Sequence, residues 1–579
     1  MDGLRGLTSR RRLRWASPAL LGVVLAGALA LFAASGSNAT TTHHGKARVT
    51  VDSGASVINP VITCAQIRSV DFTAVPGAIS QVTGATTTTF NGGSFCDVTG
   101  FIAPQEQFDI KLPMSTFTGD YLQEGCGGQC GVVSLGTPAV TQGCAPITNN
   151  QMVLATDSMG HIGQAAPIWA ANDIMLRAAY GYGSEHALAQ LSKAMIKAFY
   201  GTGPKFSYYD GCSTGGREAL EEAERYPADF NGIIAGAPIN DLLAASAESH
   251  SWVITANQAS NGSEILTSDK LPALHAAVMA KCGDSQGVIL DPRSCNFDPA
   301  SIQCPSGVDN NSCLTPAQVA AARRLYQGPT DPQGQLLYPG GQPYGSELAW
   351  PGVLIDASTD AAYPKDLEDY QFAVGVLRFE ALQNVLPSSF QLSDFKYTRQ
   401  QFDQLSQLDG LYDATDPDLS AFHRDGGKLI IWQGWADQDV PPTGTVHWYS
   451  SVVKQAGGFA ASQNFTRLYM VPGGYHCEGG GAPEANGDLL TPLMNWVEGG
   501  HAPGSVQFQL TSPTPTLSAF TVSPLNPDAA PVGGAKGLNS NVSSYIGRYK
   551  VGNELWYDTD GMNAKLSVGR TDPNPAANL

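Results

Sequence analysis

The chain has 579 residues, 42% hydrophobic and 15% charged, and a formal net charge of −18. That length supports two domains and a large buried core. The acidic balance argues against nucleic acid and an anionic membrane surface as partners. With 64 glycines in the chain, an isolated small-residue motif carries little weight until its neighbours support it.

The N-terminus reads as an export signal. Ser9-Arg10-Arg11-Arg12-Leu13-Arg14 is a basic region of twin-arginine type, Ala19 to Ala34 is apolar, and Ser37-Asn38-Ala39 offers a small-x-Ala cleavage site. The apolar stretch is short for a spanning helix and no basic flank follows it, which weighs against a retained anchor. Residues 1–39 are therefore expected to be removed, leaving a secreted, extracellular protein that begins near Thr40 and does not contact the membrane. Eleven cysteines fit that destination as disulfides. Cys64 and Cys96, Cys282 and Cys295, and Cys304 and Cys313 fall in local groups. Cys126, Cys130 and Cys144 form another, in which the odd thiol is expected. Cys212 and Cys477 stand apart. No paired C-x-x-C spacing occurs, so no structural metal is expected.

Residues 66–115 alternate apolar and polar, as in Phe108-Asp109-Ile110-Lys111-Leu112, and predict a β-rich beginning. Tyr121 to Gly128 reads as a strand running into a glycine-rich loop, and Val153 to His161 as another strand and loop. Asp173 to Tyr200 has a helical pattern. Phe206 to Tyr209 then predicts a strand, and Arg217 to Arg225, rich in Glu and Ala, a helix that Pro227 stops. Phe230 to Pro238 is a further apolar strand. Strands alternating with helices imply a parallel sheet and an α/β fold. The regularity lapses over 239–424, too long a span for a loop and therefore read as an inserted domain between two parts of one sheet domain, 40–238 and 425–502. The sheet pattern returns at Gly426 to Asp437, continues through a helix over Thr443 to Gln455 and a strand over Thr466 to Val471, and closes with a helix over Leu489 to Glu498. Residues 503–579 are a polar, Pro-rich tail with little evident core.

Gly211-Cys212-Ser213-Thr214-Gly215 is G-x-S-x-G between a predicted strand and helix, the setting of a nucleophile elbow. A nucleophilic serine needs a histidine as base and a carboxylate to orient it. Asp437 follows an apolar strand and His476 lies in the loop after the next, giving the order Ser, acid, His of an α/β-hydrolase. Asp439 competes with Asp437 for the acid's place. Cys212 precedes the serine and Cys477 follows the histidine. If Ser213 and His476 meet, these two cysteines come within the ~4.4–6.8 Å Cα separation that a disulfide requires. Oxyanion stabilisation is expected from the backbone N–H of Thr214 and from the glycine loop, at Gly127 with Cys126 as the neighbouring choice.

These residues resemble the tannase/feruloyl esterase family, a relative of which hydrolyses mono(2-hydroxyethyl) terephthalate. The likeness rests on Cys212-Ser213-x-Gly-Gly, His476-Cys477 and the strand before Asp437. It extends to Ala198 to Gly201, Phe230 to Pro238, Leu314 to Val319 and Gly426 to Ile430. It implies an α/β-hydrolase with a large lid, cleaving carboxylic esters of aromatic acids through Ser213, His476 and Asp437, with a small aromatic ester held between lid and triad. No cofactor is required. Family lids often bind Ca²⁺ in a loop between two cysteines, but here Cys282 to Asp291 is short, with Asp284, Gln286 and Asp291 as a thin ligand set. Gln433 stands where family members commonly have His, and Ser523 to Pro527 lacks the Arg and Cys of a family motif. A serine peptidase on the same fold and a non-catalytic binding protein are the alternatives. The paired cysteines favour an esterase over the first, and a complete triad weighs against the second.

Overall fold

The computed structural model describes residues 56–569 except 137–139, 142, 164–166, 358–362, 478–483, 512–517, 532–543 and 559–564. The export signal over 1–39 lies outside the described residues. No described helix is long and apolar enough to cross a membrane.

The alternating N-terminal region forms three strands, β1 (Ser80–Phe90), β2 (Gly93–Ile102) and β3 (Glu106–Pro113), paired antiparallel in sequence order. Phe108, Ile110 and Leu112 bury one face of β3 while Gln107 and Asp109 are half-buried on the other, as a two-residue period requires. Six shorter strands follow: β4 (Asp120–Glu124), β5 (Met152–Asp157), β6 (Phe206–Cys212), β7 (Gly232–Gly236), β8 (Lys428–Gly434) and β9 (Thr466–Val471). The nine lie in the order β1-β2-β3-β5-β4-β6-β7-β8-β9. β5 pairs antiparallel with β3, and every pairing from β5 to β9 is parallel.

Parallel strands are buried on both faces, which is why they are apolar runs and not alternating ones. Ile233, Leu429 and Ile431 enter the core on one face with helices α1 (Ser184–Tyr200), α2 (Thr214–Arg225) and, further along, Thr443–Gln455. Their chain neighbours Ile234, Ile430 and Trp432 enter a second core with the helix Leu490–Gly499. Each fully buried Ile or Leu contributes about 1.5–3 kcal/mol. The result is an α/β-hydrolase fold.

The long interval between β7 and β8 is helical. It contains Leu271–Cys282, Pro316–Gln327 and α3 (Glu368–Phe379), and it packs its own apolar residues, among them Leu274, Leu325, Trp350 and Leu377, into one core. The tail departs from expectation. Val506–Thr511 and Ser518–Val522 pair antiparallel and bury Phe508 and Phe520. Trp556 is fully buried, with the Arg225 guanidinium 4.9 Å from its ring centre. Scattered single aromatics anchor this segment, so its average composition hid its packing. Disulfides join Cys64–Cys96, Cys126–Cys130, Cys212–Cys477, Cys282–Cys295 and Cys304–Cys313, and Cys144 is the buried free thiol.

Candidate active site

β6 ends at Cys212 and α2 begins at Thr214, leaving Ser213 to turn the chain alone. It does so at φ 64° and ψ −120°, a region that costs a side-chain-bearing residue ~1–3 kcal/mol. Three hydrogen bonds hold it there: the Ser213 N–H donates to Gly236 O at 3.0 Å, and the N–H groups of Arg217 and Ile239 donate to Ser213 O at 3.0 and 3.3 Å. The turn is also crowded. A Cβ on Gly211 would lie 2.4 Å from Gly215 O, and one on Gly216 would lie 2.2 Å from Gly236 O.

The glycine loop after β4 is stitched to this elbow. Gly215 N–H donates to Cys126 O at 2.7 Å and the Thr214 hydroxyl to Gly128 O at 2.6 Å. Glu218, one turn into α2, accepts from Cys126 N–H at 3.1 Å and from the Tyr209 hydroxyl at 3.0 Å. Burial pushes the Glu218 carboxyl up to about 7. The Cys126–Cys130 disulfide closes the loop. Gly127 faces open space, with nothing within 4 Å of a Cβ built there. The N–H groups of Thr214 and Gly127 have no protein acceptor among the described residues.

Asp437 and His476 come together from the loops after β8 and β9. His476 Nδ1 lies 3.0 and 3.1 Å from the two Asp437 oxygens. Asp437 is fully buried and also accepts from Asp439 N–H at 3.1 Å, Val440 N–H at 2.9 Å and Gln433 Nε2 at 3.1 Å. Gln433 thus meets Asp437 as a hydrogen-bond donor only. The Cys212–Cys477 disulfide, with its Cα atoms 6.0 Å apart, holds the neighbours of Ser213 and His476 against each other. His476 Nε2 is turned to Asp439 Oδ2 at 3.2 Å, and no hydrogen bond among the described residues joins it to Ser213. Burial alone would lower the imidazole pKa, but the Asp437 and Asp439 charges outweigh it and raise it to about 9.

Ser213, His476, Gly127 and Asp439 line one cavity of about 570 Å³, which Val353 and Phe372 of the helical insertion and Trp432 of β8 also border. Asp439 was visible in the sequence only as a rival for Asp437, two residues away. Glu218 and Glu368, the latter at the cavity edge, carried no local signal.

Two places bear on metal binding. His250, Asp369 and Asp439 bring donor atoms within 4.8 Å of one another, but His250 Nε2 is 3.0 Å from the Asp439 carbonyl oxygen and so spends that nitrogen on a hydrogen bond. Burial, then the Asp439 and Glu368 charges, push the Asp369 carboxyl well up, which favours a proton there. In the 282–295 loop, Asp291 forms a two-pronged pair with Arg293 at 2.9 and 2.7 Å, and Asp284 accepts the N–H groups of Gln286 and Val288 at 2.9 and 3.2 Å. Carboxylates engaged in this way do not fit the six to eight oxygen ligands of Ca²⁺.

Residues 85–533 match the family model for tannase and feruloyl esterase. The chain belongs to that family. An uncharacterized esterase of Xanthomonas campestris is 32% identical over 460 residues, covering 71% of this esterase and 76% of that protein. The mono(2-hydroxyethyl) terephthalate hydrolase of Piscinibacter sakaiensis is 28% identical over 484 residues, covering 71% and 77%. The crystal structure of feruloyl esterase B from Aspergillus oryzae superposes with a TM-score of 0.66 at 21% identity, covering 77% of this esterase and 92% of that chain. That last likeness is one of fold.

Proposed function

We propose that this esterase is secreted and hydrolyses carboxylic esters of aromatic acids with Ser213 as nucleophile, His476 as base and Asp437 as its orienting acid. The observation that carries the reading is the Cys212–Cys477 bridge, which brings a strained elbow serine beside a histidine already paired with a buried carboxylate. Ser213 Oγ attacks the ester carbonyl carbon, and its proton passes to His476 Nε2, which must first leave Asp439. The oxyanion is received by the N–H groups of Thr214 and Gly127, each such donor contributing about 10²–10³-fold. Collapse expels the alcohol, protonated by His476, and water then attacks the acyl-enzyme along the same route in reverse. Phe372 and Trp432 offer apolar walls suited to an aromatic acyl group. The names of relatives, feruloyl esterase and mono(2-hydroxyethyl) terephthalate hydrolase, support the same substrate class.

No cofactor enters these steps, and treatment with EDTA should leave rate and melting temperature unchanged. Purified protein should hydrolyse methyl ferulate, methyl gallate or related aromatic esters in preference to peptides, and Ser213→Ala should abolish that activity. Full activity in Ser213→Ala would place the nucleophile elsewhere, and peptide hydrolysis without ester preference would return the reading to a peptidase. Export is tested by the N-terminus of protein recovered from culture medium, expected near Thr40.

A further inference from the structure

The lining of the cavity is unbalanced in charge. Glu124 ends β4, Asp210 lies two residues before the end of β6, and Glu368 and Asp439 border the cavity around His476. No lysine or arginine lines it among the described residues. Among the described lining residues the basic group is His476, and it is neutral in the form that accepts the serine proton. Asp437 is offset by four hydrogen-bond donors, but Asp439 Oδ1 is buried with no hydrogen-bond partner, the nearest basic group being His250 Nε2 at 3.7 Å. A second anion entering this cavity therefore meets like charge in a partly desolvated space, where Coulomb terms are several times larger than in water.

We propose that the cavity selects its esters by charge, accepting neutral acyl groups and discriminating against aromatic acyl groups that carry a free carboxylate. The inference rests on Ser213 being the nucleophile of this cavity, and it narrows the substrate class to esters such as hydroxycinnamates and gallates over monoesters of aromatic diacids. Glu368 and Asp439 are the residues that set the selection. Both border the cavity around His476, and no lysine or arginine among the described lining residues offsets them.

A matched pair of esters tests it. Monomethyl terephthalate carries a carboxylate where methyl 4-carbamoylbenzoate carries a neutral amide of nearly the same shape. Each kcat/KM is divided by that ester's alkaline hydrolysis rate, so that electronic differences cancel. The assay is run at about pH 8, above the value of about 7 to which desolvation at the cavity edge, then the Asp439 charge, pushes Glu368. The amide is expected to be preferred about 10–100-fold. That preference should shrink in Glu368→Gln and further in Glu368→Gln/Asp439→Asn. Using a ratio removes the effect of Asp439 on the base, because both esters share it. Equal normalised rates, or a preference for the carboxylate, with Ser213→Ala inactive on both esters, would overturn charge selection and leave the site standing. A preference that persists unchanged in the double variant would remove Glu368 and Asp439 as its source. Activity retained in Ser213→Ala would instead defeat the underlying reading.

Discussion

The two sides of the His476 ring face carboxylates two residues apart in sequence, and they are built differently. Asp437 on the Nδ1 side is fully buried and receives two backbone N–H groups and the Gln433 amide besides the imidazole. Asp439 on the Nε2 side touches the ring at 3.2 Å, borders the cavity and leaves its other oxygen without a hydrogen-bond partner, with His250 Nε2 3.7 Å away. A fully bonded carboxylate fixes a tautomer. An under-bonded one at the cavity edge adds charge without geometry and must release the ring before Nε2 can serve as base. In the proposed mechanism the same residue type is thus an orienting group on one side and a competitor on the other.

Replacing one carboxylate at a time breaks the comparison most sharply. Asp437→Asn should lower kcat by ~10⁴-fold at every pH, because an amide no longer holds Nδ1–H toward itself and the ring loses its tautomer. The folded structure should persist, since Asn keeps the shape and can still accept from Asp439 and Val440 N–H. A loss of less than ~10-fold, with native circular dichroism, would mean that Asp437 does not orient the base.

The comparison also requires the His476 loop to stay where it is, and the Cys212–Cys477 bridge spans 265 residues to keep it there. A bridge closing so long a loop contributes ~3–5 kcal/mol, chiefly through the unfolded chain. Cys212→Ser/Cys477→Ser should therefore unfold at lower denaturant concentration and lose activity through a displaced histidine. Unchanged midpoint and rate would leave Ser213, Asp437 and His476 without their tether. Next in size is Trp556→Ala. Removing a fully buried indole packed on Arg225 should cost ~3–5 kcal/mol in denaturant unfolding, whereas a loosely attached tail would leave the midpoint where it was.

The parallel half of the sheet was legible because burial on both faces turns each strand into an apolar run with turns at its ends, and Thr443–Gln455 and Thr466–Val471 matched their expected bounds. The order of Ser213, Asp437 and His476 was legible for the same reason, as each follows such a strand. The tail was not, because Trp556 and Phe508 are single aromatics in a polar setting and only their distant partners reveal them as core. α2 shows a related limit. Its Glu221, Glu222, Glu224 and Arg225 look like a solvated helix face, yet all are buried under chain from other parts of the molecule. Asp439 marks the finest limit: spacing puts it near Asp437, but which ring nitrogen it meets depends on the path of a turn.

The smallest effect decides most about that turn. Asp439→Asn removes a negative charge beside Nε2, so the imidazolium loses stabilisation and the His476 pKa falls from about 9. Below its pKa the base is mostly protonated and idle, so kcat/KM should climb with pH toward about 9 in the native enzyme. In the variant the acid limb should move down by about one unit, raising kcat/KM at pH 7 by up to ~10-fold and leaving the rate above pH 9 nearly unchanged. The gain is confined to the acid side because above both pKa values the base is neutral in either protein. Asn at 437 and Asn at 439 should therefore change the neutral-pH rate in opposite directions. An acid limb that stays in place in Asp439→Asn would show that Asp437 alone governs the ring's charge, and the two sides of His476 would no longer differ in kind.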